Sequence, residues 1–143
     1  MKPILISTLL ILGLLSIESC NKRSDDNNLS AKDKTSALLL SVPWNVNTVV
    51  ADGTDQTTVF TGMTLSFNST SYTTTKGGAL WPSNGEWTYA DESGKSLLRS
   101  DGLLVTILDI SSTSLTLSFI STKGSIGWRV NSISGNYIFT FRK

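Results

Sequence analysis

The chain has 143 residues, enough for one domain, with 12 Lys and Arg against 11 Asp and Glu and a formal net charge of +1. That balance leaves no basic footprint for nucleic acid. The absence of histidine removes the commonest general base and metal ligand, and a single cysteine allows neither an internal disulfide nor a Cys-rich zinc site.

Met1-Lys2-Pro3 precedes an apolar run from Ile4 to Leu15, shorter than the roughly 20 residues that cross a bilayer. A cationic start, a run of this length and a small residue before a cleavage point describe a secretory leader, here residues 1–19. The run ends in Ile17-Glu18-Ser19-Cys20, which resembles the lipobox of bacterial lipoproteins. The resemblance implies a diacylglyceryl group on the Cys20 thiol and hence a membrane anchor at that residue. An ordinary secreted protein with a free thiol is the alternative.

Residues 20–35 are polar and charged and cannot bury enough surface to offset their ordering entropy. They are expected to form a flexible tether from the lipidated Cys20 to a folded domain at residues 36–143. Ser24-Asp25-Asp26 resembles the acidic export signals of some Gram-negative surface lipoproteins, with a plain solvated spacer as the alternative. The expected location is the cell envelope, lipid-anchored at the outer membrane on its periplasmic or its outer face.

From Ser41 onward, short alternating runs separated by turn chemistry replace helical periodicity. Trp44, Val46, Thr48 and Val50 are expected to share one face of a first strand. Asp52-Gly53 turns the chain, and Met63, Leu65 and Phe67 then alternate with hydroxyl and amide residues. A Thr-rich return follows from Tyr72 to Thr75. Asn84-Gly85 signals a tight turn before a strand with Trp87 and Tyr89 on one face. Ser96 to Ser100 and the nearly continuous apolar run from Leu103 to Ile110 come next, the inward face of the latter being ambiguous. Leu115, Leu117 and Phe119 alternate with polar residues, and Tyr137, Phe139 and Phe141 share a face of the last strand. The prediction is an all-β domain: an antiparallel up-and-down β-barrel of about eight strands, with a β-sandwich as the alternative.

The order of Trp44, Asp52-Gly53-Thr54-Asp55, Gly62 to Phe67, Gly85 to Tyr89, Ser114 to Leu117 and Gly135 to Phe139 is similar to that in the lipocalin-like domains of bacterial lipoproteins. The resemblance implies a barrel that holds small, often apolar ligands, and an Arg from the last strand laid across the first-strand Trp as a structural cap. Arg142 is placed to cover Trp44, with Arg129 as its competitor.

Chemistry is sparse. No serine stands in a Gly-x-Ser-x-Gly elbow, and most candidate carboxylates (Glu86, Asp91, Glu92, Asp101 and Asp109) lie in or beside turns. Asp52 and Asp55 read as turn residues rather than calcium ligands. The expectation is therefore a protein that is not an enzyme, without cofactor or metal. Trp81, Trp87 and Trp128 are the candidate ligand-binding residues, either stacking on a small, partly apolar molecule or a glycan at the barrel mouth, or plugging the barrel ends. The alternative function is a structural or interaction protein of the outer membrane with a filled barrel.

Overall fold

Hydroxyl-bearing residues alternating with large apolar ones give each segment one face that gains by leaving water, at roughly 1.5–3 kcal/mol for a fully buried aliphatic or aromatic side chain. A computed structural model describes residues 29–122 and 133–143. The expected leader at 1–19, the Cys20 anchor, the tether up to residue 28, Trp128 and Arg129 lie outside the described residues. The elements are α1 (Ala31–Leu39), β1 (Trp44–Ala51), β2 (Thr54–Asp55), a 3-10 turn (Thr57–Phe60), β3 (Thr64–Phe67), β4 (Ser71–Thr75), β5 (Asn84–Tyr89), β6 (Ser96–Arg99), β7 (Leu104–Ile110), β8 (Ser114–Ser121) and β9 (Gly135–Arg142).

Every pairing is antiparallel, and each barrel strand lies beside the next in sequence. The ribbon closes where β9 returns to β1, from Asn45↔Arg142 to Ala51↔Tyr137. This makes an eight-strand up-and-down barrel, with β2 as a short extra strand beside the end of β1. Closure excludes the two-layered sandwich, because no long strand is left as an open edge.

The inward faces follow the alternation except where bulges interrupt it. Met63, Leu65 and Phe67, Leu115, Leu117 and Phe119, and Tyr137, Phe139 and Phe141 are all buried. In β1 the register shifts between Val46 and Thr48. Trp44 and Val46 therefore point inward below the bulge and Val49 above it, rather than Thr48 and Val50. A second shift between Ile107 and Asp109 resolves the ambiguous strand: Val105 and Ile107 face the core, while Leu104 and Leu108 face out.

The folded region begins before residue 36. Ser30 caps α1 with a full capping box, its hydroxyl accepting from the Asp33 N–H at 3.1 Å while the Asp33 carboxylate accepts from the Ser30 N–H at 3.2 Å. Part of the stretch expected to be tether is thus helical. Its Leu39 is fully buried, and the Leu39 carbonyl accepts from Trp44 Nε1 at 3.0 Å. Ser36 Oγ sits 2.8 Å from Tyr89 Oη, and Lys32 pairs with Glu92. These contacts set α1 against the barrel end where β1 begins and the β5–β6 turn lies.

The cap at that end differs from the expectation. Arg142 is exposed, whereas Lys143 Nζ lies 4.9 Å from the Trp44 ring centre. The reason is parity. Phe141 points inward, so Arg142 points outward and residue 143 returns to the inward side.

Candidate functional site

The other end of the barrel is its mouth, where residues 76–83 join β4 to β5. This strap does not arch over the opening but folds into it. Gly77 has no room for a side chain: a Cβ there would stand 2.3 Å from the Trp81 carbonyl oxygen and 2.5 Å from the Trp81 Cβ. The Trp81 N–H donates to the Gly77 carbonyl at 3.1 Å, and the Thr74 hydroxyl donates to the carbonyls of Trp81 and Pro82 at 3.0 and 2.9 Å. Held this way, Leu80 and Trp81 enter the core, where the Trp81 ring meets Tyr72, Phe119 and Phe139 edge-on.

Trp81 is 1% exposed and Trp87 3% exposed, so neither ring offers a face to a sugar or to another mobile ligand. Nor are they together. The Trp87 Nε1 donates to the carbonyls of Asn68 and Ser71 at 3.0 and 3.1 Å, by the β3–β4 turn at the end opposite the mouth. Trp81 and Trp87 are thus two separate core anchors, and Trp128, the ring expected to join Trp81 at one opening, lies outside the described residues. Amphipathic ring size explains their burial: burying an indole contributes more than exposing it unless a ligand is present.

Arg99 holds the strap from inside. It shares strand parity with Leu97, so a charge on an otherwise apolar face was the signal for it in the sequence. Its guanidinium donates to the Leu80 carbonyl at 2.8 Å and to Asp101 at 2.6 Å, and its carbon lies 4.9 Å from the Trp81 ring centre and 5.4 Å from that of Tyr72. Two buried donors, Trp81 Nε1 and Arg99 Nε, have no acceptor among the described residues.

With the interior filled, two clefts flank Leu80. On one side is a cleft of about 610 Å³ between the end of β1, the 3-10 turn and the start of β9. Phe60, Leu80 and Tyr137 supply its apolar surface, and Lys76, Asp52 and Gln56 its polar groups. Asp52 has φ +47 and accepts from the Asn136 N–H at 2.9 Å, which ties the β1–β2 turn to β9 and sets one wall. Burial raises the Tyr137 hydroxyl pKa above its ordinary value, and the nearby Asp52 charge raises it further. On the other side of Leu80 a second cleft of about 690 Å³ opens between the upper ends of β7 and β8.

Among the described residues the acidic side chains do not converge. Asp101 pairs with Arg99, Glu92 with Lys32, and Asp91 accepts from its neighbour Ser93 within the β5–β6 turn. The Asp55 carboxylate accepts from the Thr57 N–H at 2.8 Å, a turn contact. Phe60 and Lys76 escaped sequence reasoning because each sits in a connection, where no periodicity marks an inward residue. No known protein family matches the chain, and no characterised protein matches it in sequence.

Proposed function

We propose that this chain is a lipid-anchored, lipocalin-like protein of the bacterial cell envelope that binds a small, partly apolar molecule, without catalysis, in the mouth cleft beside Phe60. The observation that carries the reading is that cleft: about 610 Å³, with an apolar floor of Phe60, Leu80 and Tyr137 and a few polar groups at its rim. Its size and mixed lining match the usual form of a small-molecule site. The up-and-down barrel supports the lipocalin-like kinship, and the Ile17-to-Cys20 pattern supports anchoring through Cys20 at the outer membrane.

Native mass spectrometry of the protein from its own host tests both parts. A retained small molecule that is lost in Ala79→Trp and Val59→Glu, both on exposed cleft positions, is the expected result. Acyl chains on the wild-type protein and none on Cys20→Ser are expected alongside it. A protein that carries no molecule and binds no amphipathic dye at the cleft counts against the ligand reading.

A second reading, an interaction protein of the envelope, is favoured by the packed interior and by a row of exposed aliphatics on the outer wall: Leu98, Leu104 and Ile120.

A further inference from the structure

The ladder between β7 and β8 is incomplete at the mouth. It runs from Ile110↔Leu115 to Thr106↔Ser118 and stops. Above that point β7 stays paired with β6, through Leu97↔Val105 and Leu98↔Leu104. Likewise β8 stays paired with β9, through Phe119↔Tyr137, Ile120↔Asn136 and Ser121↔Gly135. Among the described residues each strand has a neighbour on one side only, so the barrel wall forks there.

Hydrogen-bond parity shows what fronts the fork. The Ile107 N–H donates to the Lys95 carbonyl at 2.7 Å and the Arg99 N–H to the Leu103 carbonyl at 3.0 Å. Odd-numbered residues of β7 therefore turn their backbone groups toward β6, and the even-numbered Leu104 turns its own toward β8. By the same alternation Ile120, two residues beyond Ser118, turns its backbone groups toward β7. Both carry their side chains outward, 51% and 66% exposed. The cleft of about 690 Å³ occupies this fork, with Leu104 and Thr106 on one flank, Ser118 and Ile120 on the other, and Leu80 and Phe119 behind.

We propose that the fork is a strand-acceptor site: an extended segment of a partner polypeptide inserts between β7 and β8 and completes the barrel wall. The partner's backbone pairs with Leu104 on one side and Ile120 on the other. Its outward side chains extend the Leu98–Leu104–Ile120 row, and its inward ones meet Leu80 and Phe119. A partner rich in β-branched aliphatic residues fits those surroundings. With strands about 4.8 Å apart, a rise of about 3.3 Å and a layer about 10 Å deep, the cleft accommodates about four residues of strand. The inference names the partner for the interaction reading and does not depend on the cleft beside Phe60.

The test uses the full-length chain and a short capped peptide of alternating valine and threonine, followed by amide hydrogen exchange and NMR shifts. The Leu104 and Ile120 amides are expected to exchange fast in the free protein and to become protected with the peptide. A peptide N-methylated at alternate backbone nitrogens is expected to bind at least about tenfold more weakly, because each methyl removes a ladder donor. Ile120→Lys, at an exposed position, is expected to keep the fold and lose the peptide. Amides at Leu104 and Ile120 already as protected as that of Leu117 in the free protein would overturn the proposal. Equal binding of the methylated peptide, or protection confined to the Phe60 cleft, would do so too. Self-association protecting the same amides without peptide would assign the fork to a second copy instead.

Discussion

Arg99 and Trp81 form a clamp in which one side chain serves both as a ring cover and as a backbone anchor. The guanidinium carbon is 4.9 Å from the ring centre, and Nη1 reaches the carbonyl of the preceding residue, Leu80, at 2.8 Å. Removing the cation frees the strap from inside and leaves that carbonyl without its donor. Arg99→Ala is expected to cost about 2–4 kcal/mol, and Arg99→Lys less, because an ammonium keeps the charge but not the planar fork. Urea denaturation followed by tryptophan fluorescence checks this; a loss below about 0.5 kcal/mol for Arg99→Ala would contradict the clamp.

The two buried indoles of the strap and of β5 predict a difference in mutational cost. Trp87 Nε1 serves two carbonyls, whereas Trp81 Nε1 has no acceptor among the described residues and is buried at a desolvation cost. Trp87→Phe takes the indole donor from the Asn68 carbonyl and one of two donors from the Ser71 carbonyl, which keeps the Asn68 N–H. Trp81→Phe removes a donor with no acceptor among the described residues. Trp81→Phe is therefore expected to be less destabilising than Trp87→Phe by about 1 kcal/mol, although both shrink a core side chain. Parallel chemical melts of the two variants decide it.

At the helix-covered end, Lys143 rather than Arg142 meets Trp44, and its ammonium also donates to Ser41 Oγ at 2.7 Å. Lys143→Met is expected to lose about 0.5–1 kcal/mol. Arg142→Met is expected to stay within about 0.5 kcal/mol of wild type. The reverse order in thermal melts would restore Arg142 as the cap.

Alternation makes the barrel legible in the sequence alone, because a strand with one wet face must repeat every second residue. Met63-Thr64-Leu65-Ser66-Phe67 is the clearest instance. What it could not convey were events that break the period. The bulges near Asn47 and Leu108 reverse parity in midstrand, and nothing in Val46-Asn47-Thr48 or Ile107-Leu108-Asp109 announces an extra residue. Helix α1 was hidden for another reason: its surface is polar and only Leu39 is fully buried, so the Ser30-to-Asp33 capping box was its sole signature. The mouth was least legible, since Leu80 and Trp81 are buried by a connection and not by a strand.

Gly77 tests the strap directly. A methyl group there would meet Trp81 backbone and Cβ at 2.3 and 2.5 Å, closer than atoms can approach, so Gly77→Ala must move the strap. Displacing Trp81 exposes its ring, and the expected signature is a red-shifted tryptophan emission with a stability loss of about 1–3 kcal/mol. Gly78→Ala is the contrast, because its φ of +61 brings strain while no described residue lies within 4 Å of the added carbon. It is expected to lose stability without the emission shift, as confirmed or refuted by steady-state spectra of the native proteins.

Alkaline titration reads the core through its phenols. Burial raises the Tyr72 hydroxyl pKa, with the Arg99 charge opposing and the Asp101 charge adding to the rise, and burial with Asp52 raises that of Tyr137. A raised pKa means the native state holds the proton longer than the unfolded chain does. The stability these groups contribute is complete below the ordinary tyrosine value near pH 10 and is lost as pH climbs through their native values. Phenolate absorbance is thus expected to show steps above pH 10 that disappear in Tyr72→Phe and Tyr137→Phe, and denaturation midpoints are expected to fall over that same range. Ionisation of both hydroxyls at the ordinary value, with no loss of stability there, would mean that water reaches them and that the mouth is looser than the packing of Leu80 and Trp81 implies.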